Sequence, residues 1–193
     1  GKRMAAREID PTTPKPLPLY LQGAALVIDN RNGAVLALVG GRDYRDSQLN
    51  RALASPRTVG TAFIPFDYAA AFSTPMFFPG SPLLDAPFDN RDVQIGGFTG
   101  QLGEWGVEAE KTIYSGGNIS AREALVHSRN GSTMRLCLQA FKPEQDFDYG
   151  PLKELCKKSG IDSEIKDWPA TFLGINPARL DEMCLAYSCF PNN

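Results

Sequence analysis

The stretch LQGAALVIDNRNGAVLALVGG, residues 21–41, places two apolar, β-rich runs on either side of Asn30-Arg31-Asn32-Gly33. An Asn-Gly pair between such runs is a strong hairpin signal, because the tight turn needs left-handed backbone conformations that these two residues adopt at little cost. The pattern predicts an antiparallel hairpin between residues 22 and 40, closed by Gly40 and Gly41. A two-stranded hairpin is marginal by itself. The rest of the chain must therefore pack helices against it or extend it, and any edge left open invites a partner strand, from a second copy or from another chain.

Upstream, Pro11, Pro14, Pro16 and Pro18 crowd a polar segment, so residues 1–20 read as an extended interdomain linker and residues 21–193 as one domain. Downstream, Phe63, Phe66, Ala69 and Ala70 in TAFIPFDYAAAF fall at helical spacing, with Thr61 placed to cap the start and one face buried. Residues 73–118 are rich in Pro, Gly and Asp without periodicity and read as surface loops. Ser120 and Glu123 form a capping box ahead of Leu125 and Val126, which predicts a helix over 120–138, interrupted at Arg129-Asn130-Gly131. Two further helices are expected over 149–159, ended by Gly160, and over 177–190.

Composition narrows the function. At 193 residues, 42% of them apolar, the chain can bury one sizeable core. Twenty basic residues against 22 acidic ones leave a net charge of −2, which does not fit a nucleic-acid binder. No run of 18 apolar residues occurs, so neither a membrane span nor a signal peptide is expected here, and any membrane anchor would lie outside this segment. The four cysteines, Cys137, Cys156, Cys184 and Cys189, contain no Cys-x-x-Cys pair and have one histidine, His127, for company. A structural zinc site is not expected, no metal or other cofactor is implied, and most of the thiols read as buried and free. A single histidine also removes most Ser-His-Asp schemes, leaving Lys, a carboxylate or a hydroxyl as the available base.

Five blocks carry a resemblance. LQGAALVIDNRNGAVLALVGGRDYRDSQLNRA, VGTAFIPF, SPLLDAPF, YSGGNISAREALVHSRN and FLGINPARLDEMCLAYSCF follow one another in the order and spacing of the transpeptidase domain of class A penicillin-binding proteins. The resemblance covers about residues 21–190. It implies an α+β, β-lactamase/transpeptidase-like fold with a helical subdomain and an antiparallel sheet. It also implies a location outside the cytoplasmic membrane and peptidoglycan stem peptides or other cell-wall proteins as partners. The family continues into further sheet strands where this chain stops, so the sheet is expected to be truncated at the C-terminus.

The catalytic pattern of that family is only partly present. Where its members resemble Gly-Ser-x-Phe-Lys-Pro, this chain reads Gly60-Thr61-Ala62-Phe63-Ile64-Pro65. The nucleophile position holds Thr61, a hindered secondary alcohol, and the base position holds Ile64, which cannot take a proton. Losing a nucleophile or base of this kind costs on the order of a million-fold in rate in another serine enzyme. The Ser-x-Asn block is retained as Ser128-Arg129-Asn130, whose two polar side chains would line the cleft, although alone it would read as an ordinary polar turn. His127 is expected at a helix surface or cap. No Lys-Thr-Gly follows Asn130, and where many members carry Trp-x-Pro-x-Asn this chain has Trp105-Gly106-Val107-Glu108-Ala109, with Trp105 as a cleft or packing aromatic.

Three readings follow. The first is a degenerate, non-catalytic transpeptidase-like domain acting as a scaffold, regulator or peptidoglycan-binding module. The second is an enzyme with relocated chemistry, using Thr61 or Ser128 with Asp67 or Glu123 nearby. The third is a fragment of a bifunctional peptidoglycan glycosyltransferase and D,D-transpeptidase acting on D-Ala-D-Ala stem peptides.

Overall fold

The computed structural model describes residues 20–89, 113–142 and 146–192. Within these, the hairpin forms as expected. Strands β1 (Ala25–Ile28) and β2 (Val35–Val39) pair antiparallel, Leu26 opposite Leu38, with a register shift between Val27 and Ile28. Gly33 takes φ +72°, the Asp29 carbonyl accepts from the N–H groups of Asn32 and Gly33, and the Asn32 side chain accepts from the Ala34 N–H. The turn thus consumes its own polar groups. One side of the hairpin packs on the last helix, while Val35, Leu36 and Val39 remain exposed.

After the short helix α1 (Arg51–Ala54), strand β3 (Arg57–Thr58) leads into a 3-10 turn, Gly60–Phe63, and then helix α2 (Ile64–Phe72). Thr61 does not cap α2. It lies inside the 3-10 turn, and no side-chain cap bond closes the start of the helix. The burial of α2 also exceeds the one face that its spacing suggested: Ile64, Phe66, Asp67, Tyr68, Ala70 and Ala71 are all buried. A helix that is apolar nearly all round is surrounded rather than laid on a surface. Around it stand α3 (Ala121–Val126), α4 (Asn130–Phe141), α5 (Gly150–Lys158) and a second 3-10 turn, Pro169–Leu173. Phe141, Phe172 and Tyr149 stack beside it, with ring centroids 5.3–5.6 Å apart.

The capping residue Ser120 accepts from the Glu123 N–H at 3.1 Å, and the predicted break falls between α3 and α4. Gly160, at φ +97°, ends α5, and helix α6 covers Leu180–Tyr187, inside the predicted 177–190. Two pairings were not anticipated. Strand β4 (Pro82–Leu84), inside the stretch read as loops, pairs antiparallel with β5 (Asn118–Ser120), which starts at the end of that stretch, and β3 pairs antiparallel with β6 (Pro177–Ala178). At two or three residues, these strands are too short to leave a period-two pattern. The architecture is α+β, with three two-stranded antiparallel ribbons around a helical core among the described residues. The linker expected over 1–20 lies outside the described residues except for Tyr20.

Candidate functional site

Two turns carry the candidate residues, the first held by backbone bonds from remote segments and the second by side-chain contacts to them. The first runs from Thr58 to Thr61. The β3–β6 ribbon anchors Thr58 opposite Pro177, the Val59 N–H donates to the Asn176 carbonyl at 3.4 Å, and the Gly60 N–H donates to the Gly174 carbonyl at 2.8 Å. From α6, the Tyr187 hydroxyl donates to the Ala62 carbonyl at 2.5 Å. Asn176 is itself buried and satisfied: its side-chain oxygen accepts from the Lys166 N–H and its amide donates to Thr171 Oγ1 at 3.0 Å. The FLGINPA segment is thus the scaffold for the turn that carries Thr61.

On that scaffold Thr61 is exposed and its hydroxyl makes no hydrogen bond among the described residues. Ile64, one turn along, is 1% exposed and belongs to the core. No side chain that could accept the Thr61 proton is hydrogen-bonded to it among the described residues.

The second turn is His127-Ser128-Arg129-Asn130. Its geometry is a Schellman motif: the Ser128 N–H donates to the Leu125 carbonyl at 3.1 Å and the Arg129 N–H to the Ala124 carbonyl at 2.8 Å. His127 is the exposed C-cap of α3, as expected. Ser128 occupies the position that usually belongs to glycine, at φ +49°, and is the one non-glycine residue with positive φ among the described residues. A non-glycine residue there costs about 1–2 kcal/mol. Asn130 opens α4 with its side-chain oxygen buried and unpartnered. The turn is pinned by Asp85 of the SPLLDAPF block. One oxygen of Asp85 lies 3.6 Å from Arg129 Nε and the other accepts from the Ser115 N–H at 2.8 Å, joining YSGGNIS to the Ser128 turn. Ser132 Oγ adds a bond to the Leu84 carbonyl at 3.1 Å.

The two turns meet through the helices behind them. Tyr68 of α2 shares a hydrogen bond with Thr133 of α4 at 3.2 Å, and Thr133 also donates to the Arg129 carbonyl. No hydrogen bond or ion pair joins Thr61 or Ile64 to Ser128 or Asn130 among the described residues. The carboxylates considered as replacement bases do not reach Thr61 or Ser128 by a hydrogen bond either. Glu123 sits exposed in the first turn of α3. Asp67 is fully buried with both oxygens unpartnered, and burial pushes its pKa well above the ordinary carboxylate value. Trp105 lies outside the described residues.

The chain is similar to known proteins. Penicillin-binding protein 1A of Neisseria meningitidis serogroup A is 31% identical over 173 residues, which is 89% of this chain and 20% of that protein. Among solved structures, penicillin-binding protein 1A from Haemophilus influenzae superposes with a TM-score of 0.69 at 29% identity, over 89% of this chain and 23% of that one. The chain is a transpeptidase-like domain of the class A penicillin-binding proteins. The penicillin-binding protein PonA1 from Mycobacterium tuberculosis shares the fold of this transpeptidase-like domain, with a TM-score of 0.64 at 24% identity over 86% of this chain and 42% of that one. No protein-family model matches the chain. The domain spans about a fifth of the length of the curated relatives it matches.

Sequence reasoning missed Asp85, Asn176 and the Gly60–Gly174 contact as supports of the two turns. All lay inside blocks that carried the resemblance, but residues that act by holding a backbone leave no spacing signature of their own.

Proposed function

We propose that this chain is a degenerate, non-catalytic transpeptidase-like domain acting outside the cytoplasmic membrane as a scaffold, regulatory or peptidoglycan-binding module in cell-wall assembly. One observation carries the reading: the base position is Ile64, embedded in the core at 1% exposure, behind a Thr61 hydroxyl with no partner. Both turns are held in place by bonds from other segments, which supports a domain that keeps a binding shape without the proton-transfer chemistry. Among the described residues no helix is long and apolar enough to cross a membrane, and attachment would come from elsewhere in a longer protein.

Labelling with a fluorescent penicillin tests this. The expected result is no covalent label on the chain, and label that disappears in Thr61→Ala would overturn the proposal. The double variant Thr61→Ser with Ile64→Lys is expected to remain unlabelled. Asp67 stands one helical turn beyond position 64, and a lysine amine placed there would meet an unpartnered carboxylate instead of a nucleophile. Measurable acylation of that variant would show that two substitutions suffice to restore the chemistry.

The short span relative to the relatives favours one further reading: this domain is a piece of a bifunctional peptidoglycan glycosyltransferase and transpeptidase. Sequencing the flanking gene for a glycosyltransferase domain and a Lys-Thr-Gly strand decides that point.

A further inference from the structure

A cavity of about 560 Å³ opens between the entry to β1, α1, the β3–β6 ribbon and the first turns of α6. Its size falls within the range of small-molecule sites, about 300–1,000 Å³. Val59, Leu180 and Met183 contribute to its apolar wall, and neither Thr61 nor Ser128 lines it. The charged groups on its lining are all of one sign: Arg51, Arg57 and Arg179, with no carboxylate among the described residues.

The hydrogen-bonding state of these groups tells what the cavity lacks. Arg179 is already neutralised, its Nε 3.0 Å from Asp181 and its Nη1 3.1 Å from Glu182. Arg51 donates to the Leu49 carbonyl and the Ser47 hydroxyl but meets no carboxylate. Arg57 is exposed and its side chain makes no hydrogen bond or ion pair among the described residues. Gln22 accepts from the Arg42 N–H through Oε1, while its Nε2 is buried without an acceptor. A nearby acceptor, the Ala62 carbonyl, is taken by the Tyr187 hydroxyl. The polar part of the wall thus presents two guanidinium groups without a carboxylate partner among the described residues and one buried amide donor, in a chain whose net charge is −2. A buried donor without a partner is costly, and guanidinium groups pair best with carboxylates.

We infer that this cavity binds a small organic anion, an apolar body ending in one carboxylate, held by Arg51, Arg57 and Gln22 Nε2. The inference stands apart from whether Thr61 can be acylated. A free acyl carboxylate and the C-terminus of an apolar peptide share this chemistry.

The experiment is isothermal titration of the 193-residue chain with octanoate, octan-1-ol, octylammonium and N-acetylleucine. Saturable one-to-one binding is expected for octanoate or N-acetylleucine, weakening as salt is raised, and whichever binds tighter identifies the source. Octan-1-ol should bind at least about tenfold more weakly and octylammonium not at all. Arg57→Ala, at an exposed position, should weaken the carboxylate by about tenfold with an unchanged melting temperature. A second readout needs no variant: Cys184 lines the cavity and the exposed Cys189 does not, so the bound carboxylate should slow alkylation of Cys184 alone. Absence of saturable carboxylate binding, equal affinity for octan-1-ol, or affinity untouched by Arg57→Ala would each overturn the inference.

Discussion

Gly60 and Gly174 meet backbone to backbone: the Gly60 N–H donates to the Gly174 carbonyl at 2.8 Å, and both residues are left-handed, at φ +63° and +73°. A methyl group on Gly174 would run into the Gly60 carbonyl. Gly174→Ala is therefore expected to lower stability by about 3 kcal/mol or more, since it adds a clash with rigid backbone to an unfavourable φ. Gly33→Ala is the control. It has a similar φ but meets only Leu185 Cδ1 at 3.7 Å, so about 1 kcal/mol is expected. Urea melts of the two variants check the ranking.

Ser128 holds the opposite sign. Its left-handed conformation suits glycine, and its side chain is exposed without a hydrogen bond. Ser128→Gly should stabilise the domain by about 1 kcal/mol, read as a higher urea midpoint at constant slope. Such a gain would place the retained serine among residues kept at a cost to stability, as strained residues in binding sites often are.

Asp67 sets the pH dependence. Its folded pKa is raised by burial above the unfolded value of 3.8, so the folded state holds a proton that the unfolded state releases. The stability this contributes is fully present below about pH 3.8 and falls as pH rises, by up to about 1.4 kcal/mol per pH unit, until the folded pKa is passed. Asp67→Asn should flatten that slope: equal to the parent near pH 4 and more stable at pH 8. Thermal melts across that range test it.

The cysteines divide by burial. Cys137 and Cys156 are buried in the core, where desolvation pushes both thiols up, Cys156 to about 12, while Cys189 is exposed. Under native conditions iodoacetamide should label Cys189 first, Cys184 slowly, and Cys137 and Cys156 only on unfolding, as counted by mass spectrometry. The two core thiols also contribute stability that is present below pH 9 and lost as pH climbs beyond it, because the unfolded thiols ionise first.

What could be read from the chain was what local chemistry dictates. The hairpin followed from Asn32-Gly33, the start of α3 from Ser120 and Glu123, and the end of α5 from Gly160, each a residue that satisfies or bends the backbone beside it. The role of Thr61 was misjudged because the conformation of its turn is imposed by Gly174, a partner that no local window contains. Asp67 gave no warning of its burial, since its position in α2 became central only once three helices had closed around it. The ribbons β3–β6 and β4–β5 exist through pairing alone. Of the candidate site, the identities of Thr61, Ile64, Ser128 and Asn130 were legible, while the supports that aim them were not.

The long-range bonds that shape the Thr61 turn come from residues 174–187. During synthesis, at roughly 5–20 residues per second, Gly60 leaves the ribosome on the order of ten seconds before its partners do. Until residues 121–158 follow, Phe63 and the α2 side chains Ile64, Phe66 and Tyr68 lack the cover of α3, α4 and α5, and Phe66 gains its edge contact with Tyr187 only later still. The growing chain is therefore at its most sticky in the middle of its own translation. Chaperone demand should fall sharply once the segment containing Gly174 and Tyr187 has emerged.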